Sequence, residues 1–176
     1  MVNFVVPHDD RWPAAFEREA AVLSRELADL RIEFHHIGST AIPGILAKPI
    51  LDMLGVVDDL PRLDARQAAF EEAGYEAMGA YGIDGRRYFR KHDESGQRTH
   101  HLHIFERGAP HVERHLAFRD YLIAHPAVAQ AYSDLKARLL AGDDPSWDGY
   151  LDGKVPFIRE TEAEAIHWYR SRTEPQ

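Results

Sequence analysis

Cysteine is absent from the 176 residues, which removes disulfide scaffolds, thiolate zinc sites and thiol catalysis together. The N-terminal stretch MVNFVVPHDDRW has no basic run and no long apolar stretch. That argues against a signal peptide or a membrane anchor, and the expected location is the cytoplasm. Positive charge is in short supply. Lys and Arg number 21 against 29 Asp and Glu, for a net charge of −8 with no basic block, so a general nucleic-acid binder is disfavoured. Internal repeats, low-complexity segments and linker-like Pro/Gly/Ser stretches are also missing. With about one average domain's length and 44% apolar residues, the segment 1–176 is expected to be a single domain. Histidine is the residue in excess: protonating all 11 would carry the net charge from −8 to +3.

Periodicity supplies the elements. From Trp12 to Leu30, Phe16, Ala20, Leu23, Leu27 and Leu30 recur at steps of three and four, with Pro13 in the first turn, which predicts a helix. Ile32 to Ile37 alternates as a strand and stops at Gly38. Pro49 to Val57 is apolar almost throughout apart from Asp52, as suits a strand covered on both faces. A helix is predicted from Leu60 to Ala73, closed by Gly74. Three short strands follow at Tyr75–Met78, Arg87–Lys91 and Thr99–Phe105. From His111 the period is helical: one helix ends at His125 and Pro126, a second carries Val128, Tyr132, Leu135 and Leu139, and a last one spans about Val155–Tyr169. The expected class is α+β, with a mixed β-sheet flanked by helices and a helical C-terminal third.

The richest stretch is HHIGSTAIPGILAKPILDML, residues 35–54. A strand that runs into Gly38-Ser39 and a short helical segment lets the backbone approach a phosphate, with N–H groups and a hydroxyl turned toward it. Asp52 follows on the next strand, and a carboxylate beside such a turn is how a divalent ion is held against a nucleoside triphosphate.

This string resembles the signature of the GrpB family, a family of nucleotidyltransferase-like fold whose domain also occurs fused to dephospho-coenzyme A kinase. The likeness continues through Trp12, Phe16 and Glu19, then Tyr88 to Lys91, His101-Leu102-His103 and FRDYL at Phe118 to Leu122. It ends with Leu135-Lys136, Tyr150, Lys154 and Trp168. The resemblance implies a Gly-Ser turn before a strand with a D-x-D or D-x-E pair, whose carboxylates hold two metal ions. Asp52 matches the first acid, but Leu54 stands at the second and cannot ligate a metal. His101 and His103 project to one face of a later strand and could share an ion with Asp52. Two imidazoles and a carboxylate favour zinc, manganese or iron over magnesium. His100 should point the other way and reads as surface.

Other candidates have two readings each. Ser39 and Thr40 are phosphate contacts or helix N-caps. Lys48 is a phosphate neutraliser or a solvated loop residue. Arg87, Arg90 and Lys91 concentrate positive charge on one strand, and Arg90 is the candidate for the ligand site. Arg119 pairs with a buried carboxylate or touches phosphate. Lys154 opens the last helix, where it is an anion contact or a plain surface lysine. Tyr121, Tyr132 and Trp168 read as core packing. Ser39, His36 and Asp52 have the composition of a hydrolase triad, but no G-x-S-x-G elbow is present.

Two functions follow as expectations. One is a metal-dependent nucleotidyltransferase in which Ser39 and Asp52 are catalytic; Gly38, Ser39, Thr40, Lys48 and Arg90 hold a nucleoside triphosphate; and Asp52, His101 and His103 hold magnesium, manganese or zinc. The other is a non-catalytic, chaperone-like partner module that binds a nucleotide or phosphate and cooperates with another protein. Neither reading involves nucleic acid at large or a membrane.

Overall fold

Segments of period two and segments of period 3.6 sort onto a sheet and its covering helices in a computed structural model, which describes residues 5–142 and 146–173. Five strands, β1 (Ile32–Ile37), β2 (Leu51–Val57), β3 (Tyr75–Ala77), β4 (Arg87–His92) and β5 (Arg98–Glu106), form one mixed sheet in the order β1-β2-β5-β4-β3. β2 and β5 pair in parallel, and the other neighbours are antiparallel. That seats the apolar β2 inside the sheet with partners on both edges, as its composition requires.

One face of the sheet is covered by α1 (Trp12–Glu26), α2 (Leu60–Asp64) and α3 (Gln67–Glu72). Phe16, Leu23 and Leu27 of α1 and its exit pack with Leu63 and Phe70 onto Met53, Phe89, Leu102 and Ile104. Leu23 is completely buried, so truncating it to Ala would cost about 2–5 kcal/mol. The predicted helix 60–73 is two short helices rather than one. Asp59 caps α2 by accepting from the Arg62 backbone N–H at 2.9 Å, and the chain turns at Ala65 and Arg66 before α3 begins. α1 also ends earlier than predicted, at Glu26, with Leu27 and Leu30 still buried in the turn that follows.

The opposite face carries Leu54, Val56 and Phe105, packed against Val112 and Leu116 of α4 (Pro110–Ala124). α5 (Pro126–Ala141) and α6 (Trp147–Thr173) complete this layer, with Tyr121, Tyr132 and Ala165 packed on Ile42 and Ile45 of the loop before β2. The last helix begins at Trp147, well before the predicted Val155, and Lys154 therefore sits inside α6 rather than at its start. Gly149, Gly153 and Pro156 disguise this start. A Cβ on Gly153 would lie 2.3 Å from Leu139 Cδ2, so a side chain there would have to displace the Leu139 side chain of α5. No helix among the described residues is long and apolar enough to cross a membrane.

Candidate metal and anion site

The site forms where β1 leaves the sheet. Gly38 has φ +71° and ψ −172°, a conformation open essentially to glycine alone, and it swings the chain into a 3-10 turn at Ser39–Ala41. The loop beyond is pinned to α5 through one residue, since Leu46 donates its N–H to Ser133 Oγ at 2.9 Å and its carbonyl accepts from Lys136 Nζ. Lys136 Nζ also donates to Ser39 Oγ at 3.0 Å, and Ser39 is hydrogen-bonded to the Tyr132 hydroxyl as well. No side-chain cap bond is made at this turn, and Gly38 is the capping residue. Thr40 is almost fully buried and its hydroxyl is engaged with His36 Nε2 at 2.8 Å.

Across the turn, register does the placing. His101 is the β5 partner of Asp52, and His103 is the partner of Leu54, so both imidazoles reach the face that Asp52 occupies. His101 Nδ1 lies 3.0 Å from Asp52 Oδ1 and His103 Nε2 lies 4.0 Å from it. One ligand atom from each of the three residues falls within 4.8 Å of the others. Burial pushes the Asp52 carboxyl up, but the His101 hydrogen bond and the fields of His101, His103 and His115 outweigh it and hold the group below its ordinary range. Burial pushes His103 down to about 4, so its imidazole is neutral and available as a ligand near neutral pH.

A cavity of about 260 Å³ opens between this trio and the helical layer, lined by Gly38, Ser39, Lys48, Asp52, His101 and Lys154 among others. Its cations lie on aromatic rings: Lys48 Nζ is 4.1 Å from the centre of Trp147, Lys154 Nζ is 4.2 Å from that of Tyr150, and Lys136, behind Ser39, is 4.3 Å from that of Tyr132. Such contacts stabilise an ammonium without neutralising it. Burial pushes Lys154 down to about 8, with Lys48 adding repulsion, and pushes Lys136 down to about 7, with Lys154 adding repulsion. The arrangement is a cationic wall facing one carboxylate and two imidazoles, suited to a polyanion with a divalent ion.

Gly38, Ser39, Thr40, Lys48, Asp52 and His101 thus line one cavity, with His103 beside Asp52. Arg90 does not join them. It ion-pairs with its cross-strand neighbour Glu76, Nε to Oε2 at 2.7 Å, while Arg87 pairs with Asp64 and Lys91 with Glu19. Arg119 pairs with Asp120 and donates to the His36 carbonyl. His100 does point to the opposite face but is half-buried there, against the Tyr75 ring, so it is not a surface residue. Lys136, Trp147 and Tyr150 escaped singling out as site residues, and Tyr132 both packs in the core and lines the cavity.

A family model described as "GrpB protein" matches residues 3–164. "UPF0157 protein YqkA" of Bacillus subtilis (strain 168) is 40% identical over 168 residues, covering 96% of this chain and 48% of that protein. The chain therefore spans about half the length of that relative. A dephospho-CoA kinase of Mycolicibacterium paratuberculosis is 27% identical over 187 residues, 93% of this chain and 46% of that protein. The crystal structure of conserved protein GrpB from Enterococcus faecalis superposes with a TM-score of 0.86 at 41% identity, covering 94% of this chain and 98% of that one. A crystal structure of the Cid1 poly(U) polymerase, with Mg 3'-dATP bound, superposes with a TM-score of 0.55 at 12% identity over 86% of this chain and 50% of that one. The fold is accordingly α+β and nucleotidyltransferase-like, and on the strength of the matched sequence and the shared architecture the chain belongs to the GrpB family.

Proposed function

We propose that the chain is a metal-dependent nucleotidyltransferase that binds a nucleoside triphosphate in the cavity between β2 and α6. The observation that carries this reading is the placement of Asp52, His101 and His103 on one wall and of lysines held on aromatic rings on the other. Lys48 and Lys154 hold phosphate oxygens, and Lys136 holds the Ser39 side chain in place at the cavity wall. The trio fits a divalent ion by its compactness and its neutral His103, and its mixed nitrogen and oxygen donors favour zinc or manganese over magnesium. A bound ion there supplies charge neutralisation and Lewis acidity at the phosphates. In the transfer, an acceptor oxygen bonds to the α-phosphorus and the bond from that phosphorus to the β-phosphate oxygen breaks. Pyrophosphate leaves with the electron pair, and the lysines stabilise the charge it gathers.

A second reading is supported by Leu54, which stands where a second acid would complete a two-metal site and is instead packed into the core. It makes the chain a non-catalytic nucleotide- or phosphate-binding, chaperone-like partner module, a role in keeping with the dephospho-CoA kinase relative that is about twice its length. Calorimetry with ATP and UTP, with and without manganese, combined with a pyrophosphate-release assay, tests both. Binding with release supports the enzyme, binding without release supports the partner module, and no binding at millimolar nucleotide overturns both.

A further inference from the structure

Part-buried cations in this acidic chain mostly have acids. Arg87, Arg90, Arg114 and Lys91 pair with Asp64, Glu76, Glu162 and Glu19. Arg98 differs. Among the described residues no carboxylate lies within ion-pair distance of it, and its Nε is shielded from solvent without a hydrogen-bond partner. Its Nη1 reaches only His101 Nε2, at 3.5 Å. Lys48 is close enough to Arg98 for the guanidinium charge to help push its ammonium down, burial being the larger cause, and it too lies on a ring rather than on an acid. Two cations placed together, each near a carboxylate (Asp52 for Lys48, Glu76 for Arg98) but ion-paired with none among the described residues, hold a positive potential that an anion would relieve.

Both line a second cavity, of about 480 Å³, with His92, Gln97 and Trp147. Its outer rim is a tightly bonded turn. Asp93 Oδ1 accepts from the backbone N–H groups of Ser95 and Gln97 and from Ser95 Oγ, and Gly96 sits at φ +82°. The turn therefore presents Arg98 from a fixed backbone. Lys48 and Trp147 belong to both cavities. The His101 ring stands between them as well, with Nδ1 toward Asp52 and Nε2 toward Arg98.

We propose that this second cavity is the acceptor subsite and takes a small phosphomonoester, with Arg98 and Lys48 on its phosphate and Trp147 against its body. The proposal rests on the nucleotidyl-transfer reading above and names the acceptor class. An ionised acceptor suits the site because its phosphate oxygen is a nucleophile that needs no base. The only carboxylate lining the first cavity, among the described residues, is Asp52, already assigned to the ion. The step balances without proton transfer: an acceptor phosphate oxygen bonds to the α-phosphorus, the bond to the β-phosphate oxygen breaks, and pyrophosphate leaves. The product is a phosphoanhydride.

Calorimetric titration of the full chain with ribose 5-phosphate, and with ribose as control, tests this in the presence of saturating ATP and manganese. Ribose 5-phosphate is expected to bind alongside ATP, and ribose is not. Arg98→Met and Arg98→Gln should each weaken ribose 5-phosphate about tenfold or more, as for loss of a contact to a charged group, and leave ATP affinity nearly unchanged. Lys154→Met should do the reverse. Thermal melts establish that each variant folds. Competition between ribose 5-phosphate and ATP, or equal loss of both in the Arg98 variants, overturns the proposal by making the cavity part of the nucleotide site. ATP binding with no ribose 5-phosphate binding at millimolar concentration overturns the acceptor subsite alone. If ATP does not bind but ribose 5-phosphate binds through Arg98, the transfer reading falls and the acceptor role falls with it.

Discussion

Gly38 and Asp52 approach so closely that a Cβ built on Gly38 would lie 2.6 Å from Asp52 Oδ2. The turn that bends the chain toward the cavity and the carboxylate at its floor are therefore one steric unit. Gly38→Ala has to adopt a backbone conformation that side chains avoid, at a cost of about 1–3 kcal/mol, and it has to displace the carboxylate as well. Urea denaturation should show that loss, and calorimetry should show weaker manganese binding. Adding Asp52→Ala to Gly38→Ala should recover part of the stability. A Gly38→Ala chain as stable as wild type would contradict the close approach.

Lys136 provides a pH test. It is 1% exposed, and burial pushes its ammonium down to about 7, against about 10.4 in an unfolded chain. Below pH 7 both states hold the proton, and the folded state carries the full cost of a buried charge. Between about 7 and 10 the unfolded state binds the proton and the folded state does not, so this group makes stability rise with pH. The stability of wild type relative to Lys136→Met should grow by up to about 1.4 kcal/mol per pH unit across that window. Urea midpoints at several pH values from 6 to 9.5 measure the slope. A flat difference would mean that the amine stays charged in its bonds to Ser39, to the Leu46 carbonyl and to the Tyr132 ring.

Leu54 marks the limit of the metal chemistry. It is fully buried with Ile37, Val56 and Phe105, so restoring an acid there does not restore a second ligand. Leu54→Asp should lose at least about 3 kcal/mol, from lost apolar burial and an unpaired carboxylate in the core. Circular dichroism melts with and without manganese read this out. A stable Leu54→Asp chain that binds two ions would reverse the conclusion.

Much of the site was legible because strands have period two. Alternation alone put His101 and His103 on one face and His100 on the other, and parallel register then brought the pair to Asp52. The helical half of the site was much less legible. Lys136, Trp147 and Tyr150 lie on helices, where periodicity tells which face is apolar but not which polar head reaches across a gap. Lys154 reads as the start of the last helix because the apolar period is clear only from Val155, whereas α6 already runs from Trp147 through Gly149, Gly153 and Pro156. Arg90 reads as a ligand contact because positive charge concentrates on its strand, but that charge is matched across the sheet by Glu76, its direct partner in the β3–β4 pairing. The break at Ala65 and Arg66 leaves no mark in an apolar pattern that continues through both short helices.

The parallel pairing of β2 with β5 also sets the order of events during folding. The β4–β5 pair joins strands that are near in sequence, whereas Asp52 and His101, partners across the parallel seam, are 49 residues apart. Non-local pairings of this kind come late, because a long loop has to close before any contact rewards it. The carboxylate and the imidazoles therefore meet only when the first two strands dock on the later hairpin. During synthesis that meeting has to wait until His103 has left the ribosome, and until then neither segment alone holds the carboxylate and the imidazoles together.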